Sequence, residues 1–308
     1  MKRYKIIVNP VSGGGAGESQ IPLIKQYLEE FELEYDLVVT KRARHATELA
    51  LQAANENYHA VVAAGGDGTA NEVLNGLVQA KNAGTPASAL GVLSIGRGND
   101  FGYGMNIPQQ LHAGCSVLAD DYRKVIDVGK ITGGDYPDGR FFGNGVGIGF
   151  DAVVGFEAAK MKRLHGFLSY LVAALKTIFL YYKAPHVEVV MDGQSSQLGA
   201  LMISIMNGQR MGGVFMMAPS AIPDDGTLEV CIARQVSRPT ILQLIPHFMR
   251  GTQNSQKSVS NMAARVISIT AIQGVLPAHA DGETICERGT QLTIELFPGH
   301  IEIITRRS

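Results

Sequence analysis

This 308-residue chain has almost no net charge: 27 Lys and Arg stand against 28 Asp and Glu, for a formal charge of −1. A surface built for nucleic acid shows a strong basic excess, so a nucleic-acid partner is not expected. Cysteine is scarce: Cys115, Cys231 and Cys286 are odd in number and have no metal-ligand spacing. That pattern disfavours a disulfide framework or zinc site and predicts reduced, buried small hydrophobes of a cytosolic protein. Long apolar runs are missing as well. Residues 167–182 come nearest, but they fall short of the roughly 20 residues a membrane span needs and contain Lys176. The opening MKRYKIIVNP has a three-residue apolar stretch, too short for a signal peptide. Internal repeats and low-complexity linkers are absent.

What remains is an ordinary globular composition, 45% hydrophobic and 18% charged, with 36 glycines and length enough for two domains. The most informative segment is residues 59–75, HAVVAAGGDGTANEVLN. Its apolar run 60–64 reads as a buried strand, followed by Gly65-Gly66-Asp67-Gly68 and then Thr69 as the expected N-cap of a helix. In such a strand–turn–helix, backbone N–H groups and the positive helix end converge on one spot, a natural phosphate seat. Glycines let the anion approach the backbone. An acid at that spot, Asp67, makes sense if a divalent cation bridges carboxylate and phosphate.

Strand and helix signals alternate through the first 125 residues: strands at 5–8, 35–39, 60–64 and 89–95, helices near 21–31 and 43–55. This order predicts a doubly wound parallel sheet with ligands at the carboxyl ends of its strands. Loops 9–17, 40–45, 65–69 and 96–101 all fall at such ends. Beyond residue 125, short alternating runs at 187–191, 199–205, 227–232, 266–271 and 290–296 are separated by Asp192-Gly193, Asp225-Gly226 and Asp281-Gly282. They predict an antiparallel β domain over 126–297. It is interrupted by a helical region at 157–183. There Leu164, Phe167, Leu168, Leu171, Leu175, Ile178 and Tyr182 keep helical spacing, which reads first as core packing.

The loop after the first strand, Asn9-Pro10-Val11-Ser12-Gly13-Gly14-Gly15, is neither of two familiar phosphate loops. It lacks the Lys-Ser/Thr ending of a Walker A loop, and Glu18 stands where the dinucleotide fingerprint needs its third glycine.

GGDGT followed by Asn71 and Glu72 resembles the nucleotide loop of the diacylglycerol kinase catalytic family, which includes bacterial soluble diacylglycerol kinases, YegS-like lipid kinases and the sphingosine and ceramide kinases. NAD kinases and phosphofructokinases carry related GGDG loops, so this motif alone does not select a substrate. Further matches run nearly end to end. The 9–15 loop resembles the family's NPxSG loop, implying phosphate contacts from Asn9, Ser12 and Gly13. Thr40 falls where the family has a nucleotide-contacting Thr. Residues 96–101, GRGNDF, match GTxNDF, except that Arg97 replaces Thr and Ser94 a preceding Pro; a guanidinium there can still face phosphate. Asp100 is then the second acid near the reacting phosphate. Residues 218–228 match a loop that holds structural Mg²⁺ in soluble bacterial members, with Asp225 giving a carboxylate and Ile222 and Thr227 backbone carbonyls. Residues 144–151, NGVGIGFD, match the start of the second domain, for which a structural role suffices. Asp281-Gly282-Glu283 matches DGE.

The resemblance implies an N-terminal α/β nucleotide-binding domain over 1–125, rejoined by about 298–308, and a C-terminal antiparallel β-sandwich with an inserted helix. It implies a lipid kinase using ATP and Mg²⁺, with nucleotide contacts from Gly65, Gly66, Asp67, Gly68, Thr69, Ala70, Asn71, Glu72 and Arg97. Asp67, Asp100, Asp281 and Glu283 carry catalysis, Glu283 being the chosen base and Asp281 close enough to share the role. Diacylglycerol is the leading acceptor; phosphatidylglycerol, a sphingoid base, NAD, or a nucleotide sensor without turnover are the alternatives. The implied location is cytoplasmic and peripheral to the membrane, with room for a homodimer. Lys160, Lys162, Arg163, Lys176 and Lys183 surround the apolar helix and could meet anionic lipid or simply solvent.

Overall fold

The computed structural model describes residues 2–86, 88–160, 167–178 and 184–307. The chain divides into two units, Met1–Val128 with Pro298–Ser308, and Gly129–Phe297.

Unit one runs β1 (Arg3–Val8), α1 (Ser12–Ser19), α2 (Ile21–Glu30), β2 (Glu34–Val39), α3 (His45–Asn55), β3 (Ala60–Gly65), α4 (Asp67–Asn82), β4 (Ala89–Ser94), α5 (Asp100–Gly104) and α6 (Leu111–Asp120). The strands pair in parallel in the order β2-β1-β3-β4. Tyr4, Ile6 and Val8 of β1 and Ala60, Val62 and Ala64 of β3 form one face, packed against Ile24 and Leu28 of α2 and Cys115 and Leu118 of α6. Val61 and Ala63 point the other way and are equally buried, while α3 and α4, which lie outside that cluster, contact β3. Both faces are therefore covered, which is why β3 reads as an unbroken apolar run. Because all four strands run the same way, the loops after β2, β1, β3 and β4 line one edge of the sheet.

β5 (Arg123–Gly133) leads toward unit two, which contains β6 (Tyr136–Phe142), β7 (Gly145–Gly149), α7 (Phe150–Ala159), α8 (Phe167–Lys176), β8 (His186–Met191), β9 (Gln194–Met206), β10 (Leu228–Arg234), α9 (Arg238–Arg250), β11 (Val259–Ala264), β12 (Val266–Gln273), β13 (Leu276–Ala280) and β14 (Glu283–Gly289). β15 (Gln291–Ile304) carries the chain back, and its far end joins β4 in parallel through Ile303 and Leu90.

All strand pairs in unit two are antiparallel among the described residues. β9 belongs to two sheets. Its first half pairs with β8, its second half with β7 and β10, giving β14-β13-β7-β9-β10-β11 and β9-β8-β12-β15. Between them lies an apolar core including Phe142, Val146, Val189, Ile203, Ile267 and Ile294. The result is a β-sandwich, as expected. The helical insertion is more extensive than the sequence suggested: α7 already starts at Phe150, and α9 was not anticipated. Both contribute with α8 to a second cluster, in which Val154, Ala173, Leu244 and Phe248 pack against Met202, Met206 and Cys231. All three cysteines are buried and unbridged, and burial pushes the Cys115 and Cys231 thiols up to about 12.

Candidate active site

In unit one the edge loops are in backbone contact. A Cβ on Gly96 would lie 2.4 Å from the Cα of Gly66, so the 65–69 and 95–101 loops touch in a way only glycine permits. Asp67 Oδ1 accepts a hydrogen bond from the Phe101 N–H at 2.9 Å and ties the same two loops together. Asn9 joins the first loop to them: its side chain donates to Thr69 Oγ1 at 3.1 Å, and its own N–H donates to Ala64 O at 3.0 Å. Thr40 N–H donates to Val8 O at 2.9 Å, which places it beside the same edge.

Two acids meet here. The Oδ2 atoms of Asp67 and Asp100 lie 3.1 and 3.3 Å from the point a Cβ on Gly98 would occupy, so both carboxylates face the same small space. Asp100 is buried and Asp67 half-buried. A pair of hard oxygen donors beside a helix start fits Mg²⁺, which is commonly held by one or two carboxylates and completed by water and phosphate oxygens.

Thr69 is not the N-cap. α4 begins at Asp67 with Gly66 as its extended cap, and Thr69 is buried inside the first turn, with its hydroxyl over Gly65. The glycine therefore lets the strand pass directly into the helix, and the phosphate seat begins three residues earlier than expected. Ala70 and Asn71 are also buried within α4; Asn71 accepts from the Asn75 side chain. Glu72 is engaged elsewhere. Its two oxygens accept from the N–H groups of Arg44 and Ala46 at 2.8 and 3.0 Å, so it caps α3, an acid at a helix N-terminus. Ser12 opens α1, and Gly13, Gly14 and Gly15 follow with φ of 63°, 78° and 99°.

In unit two, Asp281 and Gly282 both adopt positive φ, the type I′ signature, in the β13–β14 hairpin. The Asp281 carboxylate is buried and accepts three backbone N–H bonds: Oδ2 from Gly143 at 2.8 Å, Oδ1 from Asn144 at 3.0 Å and Gly145 at 2.9 Å. The Glu283 carboxylate, half-buried at the start of β14, accepts no hydrogen bond among the described residues.

Asp225 organises its own turn, accepting from the Thr227 N–H and hydroxyl at 2.9 Å each, while its N–H donates to Ile222 O at 3.4 Å. The loop lines a shallow pocket with Ser220, Glu229 and Asn261. The donors there are all oxygen, and Asn261 Oδ1 is buried with no hydrogen-bond partner among the described residues, a set compatible with a hard cation. Among the described residues no group of three or more His, Cys, Asp or Glu is arranged to hold a metal.

A further polar group gathers around Gly147, in the segment for which only a structural role was expected. Asp151, the last residue of NGVGIGFD, and His279 flank Gly147 from two elements, with Asp151 Oδ2 and His279 Nε2 lying 2.4 and 2.5 Å from where its Cβ would be. Ser204 donates to Asp151 at 3.2 Å. Burial pushes the Asp151 carboxyl up to about 7 and the His279 ring down to about 4. The only signal in the chain was an acid closing a glycine-rich strand.

Of the basic residues near α8, Lys160 and Lys176 both pair with Glu157, at 2.9 and 2.5 Å. Lys162, Arg163, Lys183, Leu164 and Tyr182 lie outside the described residues. Among the described residues no helix is long and apolar enough to cross a membrane.

Residues 3–131 match the diacylglycerol kinase catalytic domain, and residues 144–305 match the YegS C-terminal NAD kinase beta sandwich-like domain. A diacylglycerol kinase of Staphylococcus aureus is 29% identical over 283 residues, covering 92% of this chain and 86% of that protein. Two crystal structures from Bacillus anthracis, one described as a diacylglycerol kinase, share the fold with TM-scores of 0.79 and 0.74 at 24% and 22% identity. Each covers 99% of this chain and 97% of its own. Yeast NADH kinase in complex with NADH shares it more loosely, with a TM-score of 0.55 at 11% identity, over 99% of this chain and 84% of that one. With the α/β unit and the sandwich each matched in turn, the chain belongs to the diacylglycerol kinase catalytic-domain family of kinases, in its YegS-like form.

Proposed function

We propose that the protein transfers the γ-phosphoryl group of ATP to the hydroxyl of a lipid, with diacylglycerol the leading acceptor and phosphatidic acid the product. The observation that carries this reading is the meeting of Asp67 and Asp100 over Gly98, at the edge where the phosphate-seating loops touch. The lipid acceptor is supported by the catalytic-domain match and by relatives that bear the diacylglycerol kinase name.

In this reading the amides of Gly66 and Gly68 and the start of α4 hold the phosphate tail. Asp67 and Asp100 would hold Mg²⁺, which would offset charge on the phosphate oxygens. The acceptor oxygen bonds to the γ-phosphorus as the bond to the β–γ bridging oxygen breaks and ADP leaves. Glu283, whose carboxylate meets no donor among the described residues, takes the hydroxyl proton. Asp281 is a positioning residue that fixes the 143–145 segment through its three amide bonds. The Asp225 loop is the second candidate Mg²⁺ position. The acceptor is met at a membrane surface, a view supported by the exposed Val172 and Leu175 on α8.

The test is Mg²⁺-dependent transfer of label from γ-labelled ATP into mixed micelles of diacylglycerol, phosphatidylglycerol and sphingoid base, with NAD as a soluble acceptor. Labelled phosphatidic acid with the wild type, lost with Glu283→Ala, is the expected result. ATP binding without transfer to any lipid would overturn the reading, and labelled NADP would replace it.

A further inference from the structure

Acidic residues are missing from one long stretch of unit two. Residues 230–280 contain no Asp or Glu, although the chain holds 28, and they carry Arg234, Arg238, Arg250, Lys257 and Arg265. Five cations and no acid give this stretch a formal charge of +5, in a chain whose total is −1. All five are exposed, and none forms an ion pair among the described residues. Lys160 and Lys176, by contrast, are both neutralised by Glu157. At the centre of the acid-free stretch stands α9. Its inner side, Ile241, Leu244 and Phe248, is buried in the second apolar cluster with Ala173 and Ala174 of α8. Its outer side carries Arg238, Leu242, Pro246 and Arg250 at four-residue intervals, with Met249 just before the last. Residues four apart share a helix face, so these form one line with an arginine at each end and apolar side chains between. Arg238 Nε donates to Ile178 O at 2.9 Å, which fixes the start of α9 beside the end of α8. Arg234 N–H donates to Ser258 O at 2.8 Å, which brings the backbone of Arg234 and Lys257 together just ahead of α9.

A single exposed apolar side chain is ordinary on a protein surface. A line of them bracketed by arginines without carboxylate partners among the described residues calls for two things at once: cover from water and negative charge. A bilayer containing anionic lipid supplies both. A helix lying in its headgroup plane buries an apolar line toward the acyl chains and sets flanking cations against the phosphates. We infer that α9 is the docking helix of this protein, seating on an anionic lipid bilayer through Leu242, Pro246 and Met249, with Arg238, Arg250 and Lys257 against the lipid phosphates. This rests on the proposed meeting with the acceptor at a membrane surface, and names the element that makes it.

The test is cosedimentation of the full chain, without ATP, with vesicles of phosphatidylcholine alone or of phosphatidylcholine and phosphatidylglycerol in equal parts. The wild type is expected to bind the mixed vesicles about tenfold or more tightly than the neutral ones, by a margin that shrinks as salt rises. Arg250→Gln with Lys257→Gln weakens mixed-vesicle binding about 25-fold, because about 1 kcal/mol per cation is a factor of about five. Arg238 is left in place because it holds Ile178 O. Leu242→Gln with Met249→Gln weakens the same binding about tenfold. Ile272→Gln, which removes an exposed apolar side chain from β12, changes it little. Unchanged melting temperatures show that the variants are folded. Overturning results are equal binding to the two vesicle types, α9 variants that bind as the wild type does, or an equal loss with Ile272→Gln. A wild type that phosphorylates diacylglycerol in mixed micelles yet binds neither vesicle overturns the docking helix and leaves the kinase reading intact. One that binds mixed vesicles through α9 but transfers phosphate to no lipid keeps the docking helix and overturns the kinase reading.

Discussion

Asp281 and Glu283 stand two positions apart and have opposite surroundings. Asp281 is bound by three amides, whereas Glu283 has no protein donor among the described residues. Removing an acceptor leaves buried N–H groups unsatisfied, which costs about 1–3 kcal/mol per group at most sites. Asp281→Asn keeps the shape and tolerates the φ of 47°, but turns an NH₂ toward a backbone donor. It is expected to lower stability by about 2–3 kcal/mol, read as a fall in the urea midpoint at unchanged m-value. Glu283→Gln is expected to leave that midpoint within about 0.5 kcal/mol and to reduce kcat by about 10²-fold or more. A stable Asp281→Asn variant would contradict the anchoring role. A Glu283→Gln variant of full activity would move the base elsewhere.

At the scale of elements, the turns show what local sequence can specify. Asp192-Gly193 and Asp281-Gly282 both become hairpin turns with two positive φ values, because that geometry depends only on the two residues that make it. Asp225-Gly226 carries the same dipeptide but makes a side-chain-capped loop, since Asp225 bonds forward to Thr227. β7 was hidden because Gly145–Gly149 has three glycines and little strand propensity; its pairing with β9 and β13 overrides that preference. The sandwich core lends itself to a direct test. Phe142 is fully buried, with its ring against Gly129, where a Cβ would lie 2.0 Å from ring Cζ. Phe142→Ala should cost about 3–5 kcal/mol through lost burial and a cavity, measurable by chemical denaturation. A loss below about 1 kcal/mol would mean that the core collapses to fill the space.

For the whole molecule, stability against pH should reflect Asp151 and His279 working in opposite senses. Asp151 has its carboxyl raised from 3.8 to about 7, so between those values the native state holds a proton the unfolded chain has lost, and its contribution falls as pH rises. His279 is lowered from 6.5 to about 4; the unfolded chain holds the extra proton there, so its contribution rises with pH. Across the shared window the two largely cancel. Asp151→Asn removes the first, and the variant's unfolding free energy should climb by roughly 2 kcal/mol more than the wild type's between pH 4.5 and 6.5. Parallel curves for the two proteins would show that Asp151 does not hold its proton in the native state.

The alternating strands and helices, the carboxyl-edge loops, the GGDGT seat and the antiparallel second half are set by local pattern: apolar period, turn dipeptides and glycines at strand ends. Each depends on residues within about a turn or a strand of one another, so the chain specifies them before it folds. The contacts that give individual side chains their roles span much longer separations. Asp281 captures amides 136 to 138 residues away. Glu72 caps a helix 26 to 28 residues before it. Arg97 lies on Gly14, and Asp151 meets His279 across Gly147. Side-chain carboxyl groups thus became an anchor, a cap, a proton-holding group and a pair suited to a cation. Burial and hydrogen-bond supply decide among those roles, and both are properties of the packed chain, beyond what a residue type or its neighbours in sequence carry.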